Sequence, residues 1–211
     1  MANALPRSFY ERDTLTVARD LLGCTIHRRQ GRRTLVGRIV ETEAYVGPED
    51  LACHASKGLT PRTEPMFGPA GIAYVYFIYG LHHCFNAVTE GPGSGTAVLV
   101  RAVEPISGFP AGARTHGPAR LTKAMAIDRE LDRWDLTSGQ ELWLEPPERT
   151  PEEICAGPRI GVDYSGDWAR RPFRFWEAGN PWVSVLPRRR SDRVIEASGH
   201  PDPGKDRPDR P

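Results

Sequence analysis

The stretch Thr34–Val46, TLVGRIVETEAYV, constrains the fold more than any other segment of the 211-residue chain. It is rich in β-branched residues and carries no proline, which predicts one long strand in a sheet. Alternate residues of a strand share a face. Ile39, Glu41, Glu43 and Tyr45 therefore fall on one side, and Val40, Thr42, Ala44 and Val46 on the other. The second side reads as the core face. The first brings two carboxylates and a phenol together. A solvated strand face would carry the same residues; the sharper alternative is a site in which one carboxylate acts as a general base.

Other segments supply partners for this strand. Cys24–His27 reads as a strand joined to it through the turn QGRR. DTLTVARDLLG predicts a helix capped by Asp13 and ended by Gly23, and GPARLTKAMAI a second helix. GPEDLACHA suggests a short helix opened by Pro48, followed by a loop over Lys57–Gly71. Ala73–Tyr79 and His83–Thr89 predict a hairpin with Gly80 first in a two-residue type II′ turn. TAVLVRAVEP and ELWLEP read as strands, and PFRFW with PWVSV as a late strand pair. No fixed-period repeat or linker divides the chain. The expectation is an α+β fold: a mixed or antiparallel sheet with surrounding helices and a protruding hairpin. Residues 1–6 form an N-terminal extension, 7–186 the domain, and the polar, proline-rich 187–211 a flexible tail.

Composition narrows the function classes. Hydrophobic residues at 39% and charged residues at 26% suit a packed core. A net charge of +1 gives no global polyanion signature but leaves room for a locally basic face. Cys24, Cys53, Cys84 and Cys155 form no CxxC pair and read as free thiols of a reducing, cytoplasmic compartment. The start MANALPRSFYERD has no apolar signal region, and no run is long enough to span a bilayer. His54 stands alone, and His82 and His83 point to opposite faces of a hairpin, so no metal site is expected. No heptad argues against a monomer.

Two further features bear on chemistry. Arg101 lies inside the apolar strand VLVRAVEP and needs a partner such as Glu43, because an unpaired buried charge is costly. A structural ion pair or a snorkelling surface Arg would also fit. Tyr74 and Tyr76 share a strand face, while Tyr79 and Leu81 flank a tight turn with little core to reach. Ordinary packing accounts for tyrosines in strands; an aromatic at a turn tip also suits wedging between bases.

Taken in order, the blocks GRIVETEAYVGPED, CHAS, TPRTEPMFGPAGIAYVYFIYG, CFN, AVLVRAVEP, GPARLTKAMAI, RIGVDYSGDWARRPFRFW and NPWVSV resemble the alkyladenine (3-methyladenine) DNA glycosylase family over about residues 7–186. The resemblance implies a monofunctional purine glycosylase of base-excision repair that flips alkylated purines out of duplex DNA, and it implies neither a metal nor an organic cofactor. It implies that Glu43 is the general base, with Arg101 and the Ile160 carbonyl holding the catalytic water. Tyr45, His54 and Tyr76 would sandwich the flipped base, and Asn86 would discriminate against the guanine amino group. Tyr79, with Leu81 beside it, would insert into the duplex. Arg62, Arg120, Lys123 and Arg170 are candidate phosphate contacts. The chain departs from the family pattern at Thr63, where Asn is usual, and at Leu81–His82–His83, where aromatic or Met residues are common.

A cationic base such as 3-methyladenine, or 7-methylguanine, leaves readily, so one carboxylate that activates water suffices. Hypoxanthine needs protonation as it leaves, and the sequence identifies no acid for that step. Two rivals remain at this stage. A carbohydrate hydrolase could use Glu41 and Glu43, about 6.7 Å apart along an extended strand, as an inverting pair. A non-catalytic nucleic-acid module could use the tyrosine hairpin for binding alone.

Overall fold

The predicted long strand runs from Arg33 to Val46 (β2) in a computed structural model of the chain, which describes residues 2–78, 80–185 and, for the backbone, 194–196. One edge of β2 pairs with β5 (Thr96–Ser107) along nearly its whole length. The other edge is shared: β1 (Thr25–Gln30) takes Arg33–Arg38 and β8 (Arg174–Glu177) takes Glu41–Glu43. The remaining strands are β3 (Ala73–Ile78), β4 (His82–Val88), β6 (Leu142–Glu145), β7 (Ile154–Gly157) and β9 (Val194–Glu196). The order is β3-β4-β5-β2-β8-β7-β9, with β1 and β6 branching from β2, and every pairing is antiparallel. With helices α1 (Arg7–Tyr10), α2 (Thr14–Asp20) and α3 (Pro118–Met125), this is the expected α+β architecture.

Local chemistry places the helices. Asp13 accepts the Thr16 N–H at 3.0 Å and caps α2. Val17, Ala18, Leu21 and Leu22 then pack into the main core with Ile39, Ala44, Val98 and Val100. α3 begins at Pro118, where a missing N–H costs nothing, and buries Leu121 and Met125. Four buried cysteines are free thiols. No described helix is long and apolar enough to cross a membrane.

Several expectations need correction. Thr42 and Ala44 do face α2, the Thr42 hydroxyl donating to the Ala18 carbonyl at 2.8 Å. Ile39, expected opposite, joins the same core, while Val40 packs against Ala102, Cys155 and Trp176. The register explains the exchange: Ile39 pairs with Val103 and Glu41 with Ala102, leaving Val40 as an extra residue. One extra residue reverses the alternation.

Pro48–Ala52 forms turns rather than a helix, and a 3-10 turn follows at His54–Lys57. Asp50 takes the Val46 and Ala52 N–H groups at 3.3 and 3.0 Å, a local bonding pattern that competes with a helix. PWVSV does not form a strand either. β8 pairs with β7, whose short sequence ICAG carries little strand signal. The hairpin turn is one residue longer than expected: Ile78 pairs with His82, and the Leu81 N–H reaches the Ile78 carbonyl at 3.2 Å. Gly80 is thus the second central residue, with φ +67°. The predicted tail over 187–211 lies outside the described residues, apart from β9, whose backbone extends the sheet beyond β7.

Candidate active site

One cross-strand row organises the site. Tyr74 pairs with Asn86, Asn86 with Leu99, Leu99 with Glu43, and Glu43 with Arg174. Residues opposite one another in a sheet share a face. The row therefore sets Tyr74, Asn86 and Glu43 on one face, away from the α2 core. A cavity of about 380 Å³ opens there, lined by Tyr45, His54, Tyr76, Asn86, Arg101 and Ile160 among others. That volume suits a small ligand.

Glu43 sits behind the cavity floor, fully buried. Its Oε1 accepts the Ile160 N–H at 2.7 Å and meets Arg101 Nη1 at 3.0 Å. Its Oε2 accepts the Tyr45 hydroxyl at 2.8 Å. All three partners line the cavity. Arg101 is placed by a bulge: Val100 pairs with Thr42 and Ala102 with Glu41, so Arg101 has no cross-strand partner. Bulges of this kind re-aim a side chain.

The second carboxylate plays a different part. Glu41 is fully buried. Its Oε1 takes Arg101 Nε at 2.9 Å, Arg174 Nη1 at 3.0 Å and the Ser184 hydroxyl at 3.0 Å; its Oε2 takes the Ser184 N–H at 2.7 Å. Glu41, Glu43, Arg101 and Arg174 form a buried array of two negative and two positive charges. Neither carboxylate is itself part of the cavity lining, but of Glu41's partners only Arg101 reaches it, whereas all of Glu43's do.

Apart from Arg101, the aromatic walls carry no charge. Tyr74 and Tyr76 lie with ring centroids 5.1 Å apart, and His54 meets Tyr76 edge-on at 4.6 Å. His54 Nδ1 and the Tyr74 hydroxyl are 2.9 Å apart. Burial, helped by the Arg62 charge, pushes the His54 imidazolium down to about 4. Burial also drives the Tyr45 and Tyr76 phenols well above their ordinary range, and raises the Tyr74 phenol to about 12 and the Cys84 thiol. At neutral pH all of these groups are uncharged. Asn86 Nδ2 donates to the Tyr74 carbonyl at 3.0 Å, which orients its amide.

The other expected residues fall around this pocket or away from it. Leu81, 77% exposed, tips the hairpin; Tyr79 lies outside the described residues. Arg62 is at the rim, its guanidinium 5.5 Å from the Tyr76 ring centre. Arg120 and Lys123 are exposed on α3, whose first residue, Pro118, lines the cavity. Arg170 is exposed and paired with Asp167. Thr63, in contrast to the exposed rim, is buried and ties its loop, accepting the Thr60 N–H and donating to the Gly58 carbonyl, both at 2.8 Å.

Sequence reasoning missed Arg174, although it stands inside the apolar run PFRFW just as Arg101 stands inside VLVRAVEP. It also missed the buried pair of Asp50 and Arg159, whose Nη2–Oδ1 distance is 2.8 Å. Arg159 lies 4.8 Å from the Tyr45 ring centre and supports that wall from behind. Tyr164, 73% exposed at the cavity mouth, was missed as well. Among the described residues, no group of His, Cys, Asp and Glu is placed to hold a metal ion.

Residues 8–181 match the family described as methylpurine-DNA glycosylase (MPG). The chain belongs to that family. A Myxococcus xanthus protein is 58% identical over 186 residues, covering 88% of this chain and 95% of its own. A Legionella pneumophila (strain Corby) protein is 53% identical over 180 residues, covering 85% and 97%. An Anaeromyxobacter dehalogenans (strain 2CP-1) protein is 50% identical over 183 residues, covering 87% and 86%. All three carry the name "Putative 3-methyladenine DNA glycosylase". The protein is thus a DNA glycosylase, a hydrolase of N-glycosyl bonds in DNA repair, and DNA is its substrate. In the glycosylase one buried carboxylate, Glu43, lies behind a cavity walled by uncharged aromatic rings, with the Arg101 guanidinium between the two.

Proposed function

We propose that this glycosylase extrudes alkylated purines, 3-methyladenine foremost, from duplex DNA into the Tyr45–His54–Tyr76 cavity and hydrolyses the N-glycosidic bond with Glu43 as general base. One observation carries the reading: all three groups that hold the Glu43 carboxylate, Tyr45, Arg101 and the Ile160 N–H, also line the cavity. The hydrolytic water lies against Glu43, held by Arg101 and the Ile160 carbonyl. Its oxygen bonds to C1′ as the C1′–N bond breaks; the bonding electrons leave with the purine, and the water's proton passes to Glu43. The products are free base and an abasic site. Water is the attacking group, and no lyase step follows.

Extruding a base costs roughly a few kcal/mol, least for damaged or mispaired bases. Stacking on aromatic side chains returns about 1–3 kcal/mol per base. A cationic alkylpurine gains more from neutral tyrosine rings than an ordinary base does, a cation–π preference that selects damage. 7-Methylguanine shares this charge. Hypoxanthine does not, and its release depends on protonation of the leaving base. Asn86, held by the Tyr74 carbonyl, faces the base edge and crowds the guanine amino group. Leu81 and Tyr79 fill the space that the extruded nucleotide leaves, and Arg62, Arg120, Lys123 and Arg170 contact phosphates around it. The protein acts as a monomer.

Incubation with methylated duplex DNA in EDTA, with chromatography of the freed bases, tests this reading. Release of 3-methyladenine by the wild type and not by Glu43→Gln is the expected result. Equal release by both would move the base away from Glu43. DNA binding without release by the wild type would leave a binding module.

A further inference from the structure

A second hairpin points the same way as the first. β2 and β4 both pair antiparallel with β5, so they run parallel to each other. Each begins at its hairpin turn. The β1–β2 turn and the β3–β4 turn therefore leave the sheet at the same end. By the cross-strand row, the start of β4 lies level with Ile39 of β2. Arg33 lies six residues further, about 20 Å along the strand.

The two tips differ in chemistry. The β3–β4 tip is apolar, whereas the β1–β2 turn carries Arg28, Arg29, Arg32 and Arg33 within RRQGRR. Gly31, at φ +60°, makes the tight turn between Gln30 and Arg33. Glu141 pairs with Arg28 at 3.4 Å. Arg29 is exposed, its guanidinium 5.0 Å from the Trp143 ring centre. Arg32 and Arg33 are exposed and have no ion pair among the described residues. The whole chain nets only +1, so this is a local concentration of charge.

α3 bridges the two turns. The Thr122 hydroxyl donates to the His83 carbonyl at 2.9 Å, beside the apolar tip. Arg28 Nε donates to the carbonyl of Ala126, just past the end of α3, at 3.3 Å. Lys123 lies exposed on the helix between these anchors, and Arg120 lies exposed just before the first of them. The exposed cations thus run from the wedge hairpin along α3 to Arg32 and Arg33.

On the base-extrusion reading proposed above, we infer that Arg32 and Arg33, at the β1–β2 turn, bind phosphates of the duplex flank on one side of the extruded nucleotide, away from the lesion itself. The footprint on DNA is then one-sided. Phosphate contacts carry affinity and salt dependence, not sequence preference.

The experiment compares the wild type with an Arg32→Gln/Arg33→Gln variant, both side chains being exposed. Lesion duplexes carry one short flank of about 4 base pairs and one of about 12, on either side in turn. For the wild type, lengthening one particular flank is expected to tighten binding, and lengthening the other is not. The variant loses that gain. Each lost contact removes about 0.9 from the slope of log affinity against log salt, so a fourfold rise in salt costs the wild type about tenfold more affinity than the variant. Base release from the duplex short on both sides stays the same in the two proteins. An equal flank gain in wild type and variant, or no gain in the wild type, overturns the inference. A loss by the variant on the doubly short duplex overturns it too, because it places the arginines at the lesion.

Discussion

The two ends of β2 are built for opposite environments. From Glu41 to Tyr45 every residue is buried or half-buried, and both carboxylates are held by arginines. At Arg33 the same strand is exposed and cationic, with no acid beside its guanidinium among the described residues. The difference shows how one strand serves two tasks. Its inner end holds a charge away from bulk solvent, so geometry decides what that charge does. Its outer end meets a polyanion through solvent, so only charge and reach matter. Substitutions at the inner end should change chemistry or stability by large factors. Those at the outer end should change salt dependence or cost little.

The largest effect is expected at Glu43. Glutamine keeps an acceptor for the Ile160 N–H but cannot take a proton from water. Base release should fall by about 10²–10⁴-fold, the range for a general base, while the variant still binds lesion DNA. Single-turnover release and a binding titration on the same preparation separate the two quantities. An active Glu43→Gln enzyme would erase the contrast between the two ends.

Arg101 comes next. Arg101→Leu leaves Glu41 and Glu43 facing each other with only Arg174 to compensate. Breaking a buried pair costs about 3–5 kcal/mol, which for a chain of this size lowers the melting temperature by roughly 10 °C. Thermal melts monitored by circular dichroism would show it. Glu41→Gln sharpens the point. It should destabilise similarly, because Arg174 loses its partner, yet release base better than Glu43→Gln does. Equal loss from the two glutamines would revive the paired-carboxylate reading. Arg174 and Ser184, which hold Glu41, lie away from the cavity, whereas every partner of Glu43 lines it, and this argues against that outcome.

His54 offers a smaller, pH-dependent effect. Its imidazolium is disfavoured in the fold, pushed from 6.5 to about 4, chiefly by burial. The unfolded chain binds that proton more readily. Stability is therefore complete above about pH 6.5 and declines as pH falls towards 4, by about 3 kcal/mol in all. His54→Gln removes this one contribution, so its melting temperature should fall less steeply between pH 6.5 and 4.5 than that of the wild type. Parallel curves for the two proteins would show that the imidazole is not shielded as the cavity geometry indicates.

How far such a site can be read from sequence depends on whether a residue's constraint is local. Arg101 in an apolar strand needed a carboxylate, and Glu43 supplies it at 3.0 Å. Asp13 and Gly23 marked the ends of α2 and its turn by their own backbone chemistry. The exchange of Ile39 and Val40 was not legible, because a bulge depends on counting residues across two strands. The helix expected after Pro48 failed for a related reason, since Asp50 within it is held from a distance. Its partner Arg159 lies 109 residues away, and that pairing fixes the turn. The long-range family blocks placed Tyr45, His54, Tyr76 and Asn86 around one cavity, where period and propensity alone left them as separate strand residues.

The smallest predicted effect lies at the outer end. Gly31 holds φ +60°, and a Cβ there would meet nothing within 4 Å. Gly31→Ala therefore tests backbone conformation without a packing clash. A left-handed conformation costs a non-glycine residue roughly 1–2 kcal/mol. The melting temperature should fall by only a few degrees, since 1 kcal/mol corresponds to about 2–4 °C at this size. Base release by the folded fraction should not change, because the turn sits about 30 Å along β2 from Glu43. A loss of turnover as large as that of Glu43→Gln would mean that the turn conformation reaches the carboxylate through the strand, and that the two ends are mechanically coupled. A small shift in melting with normal turnover and an unchanged salt slope would show that the arginines, and not the glycine that presents them, carry the outer end's interaction with DNA.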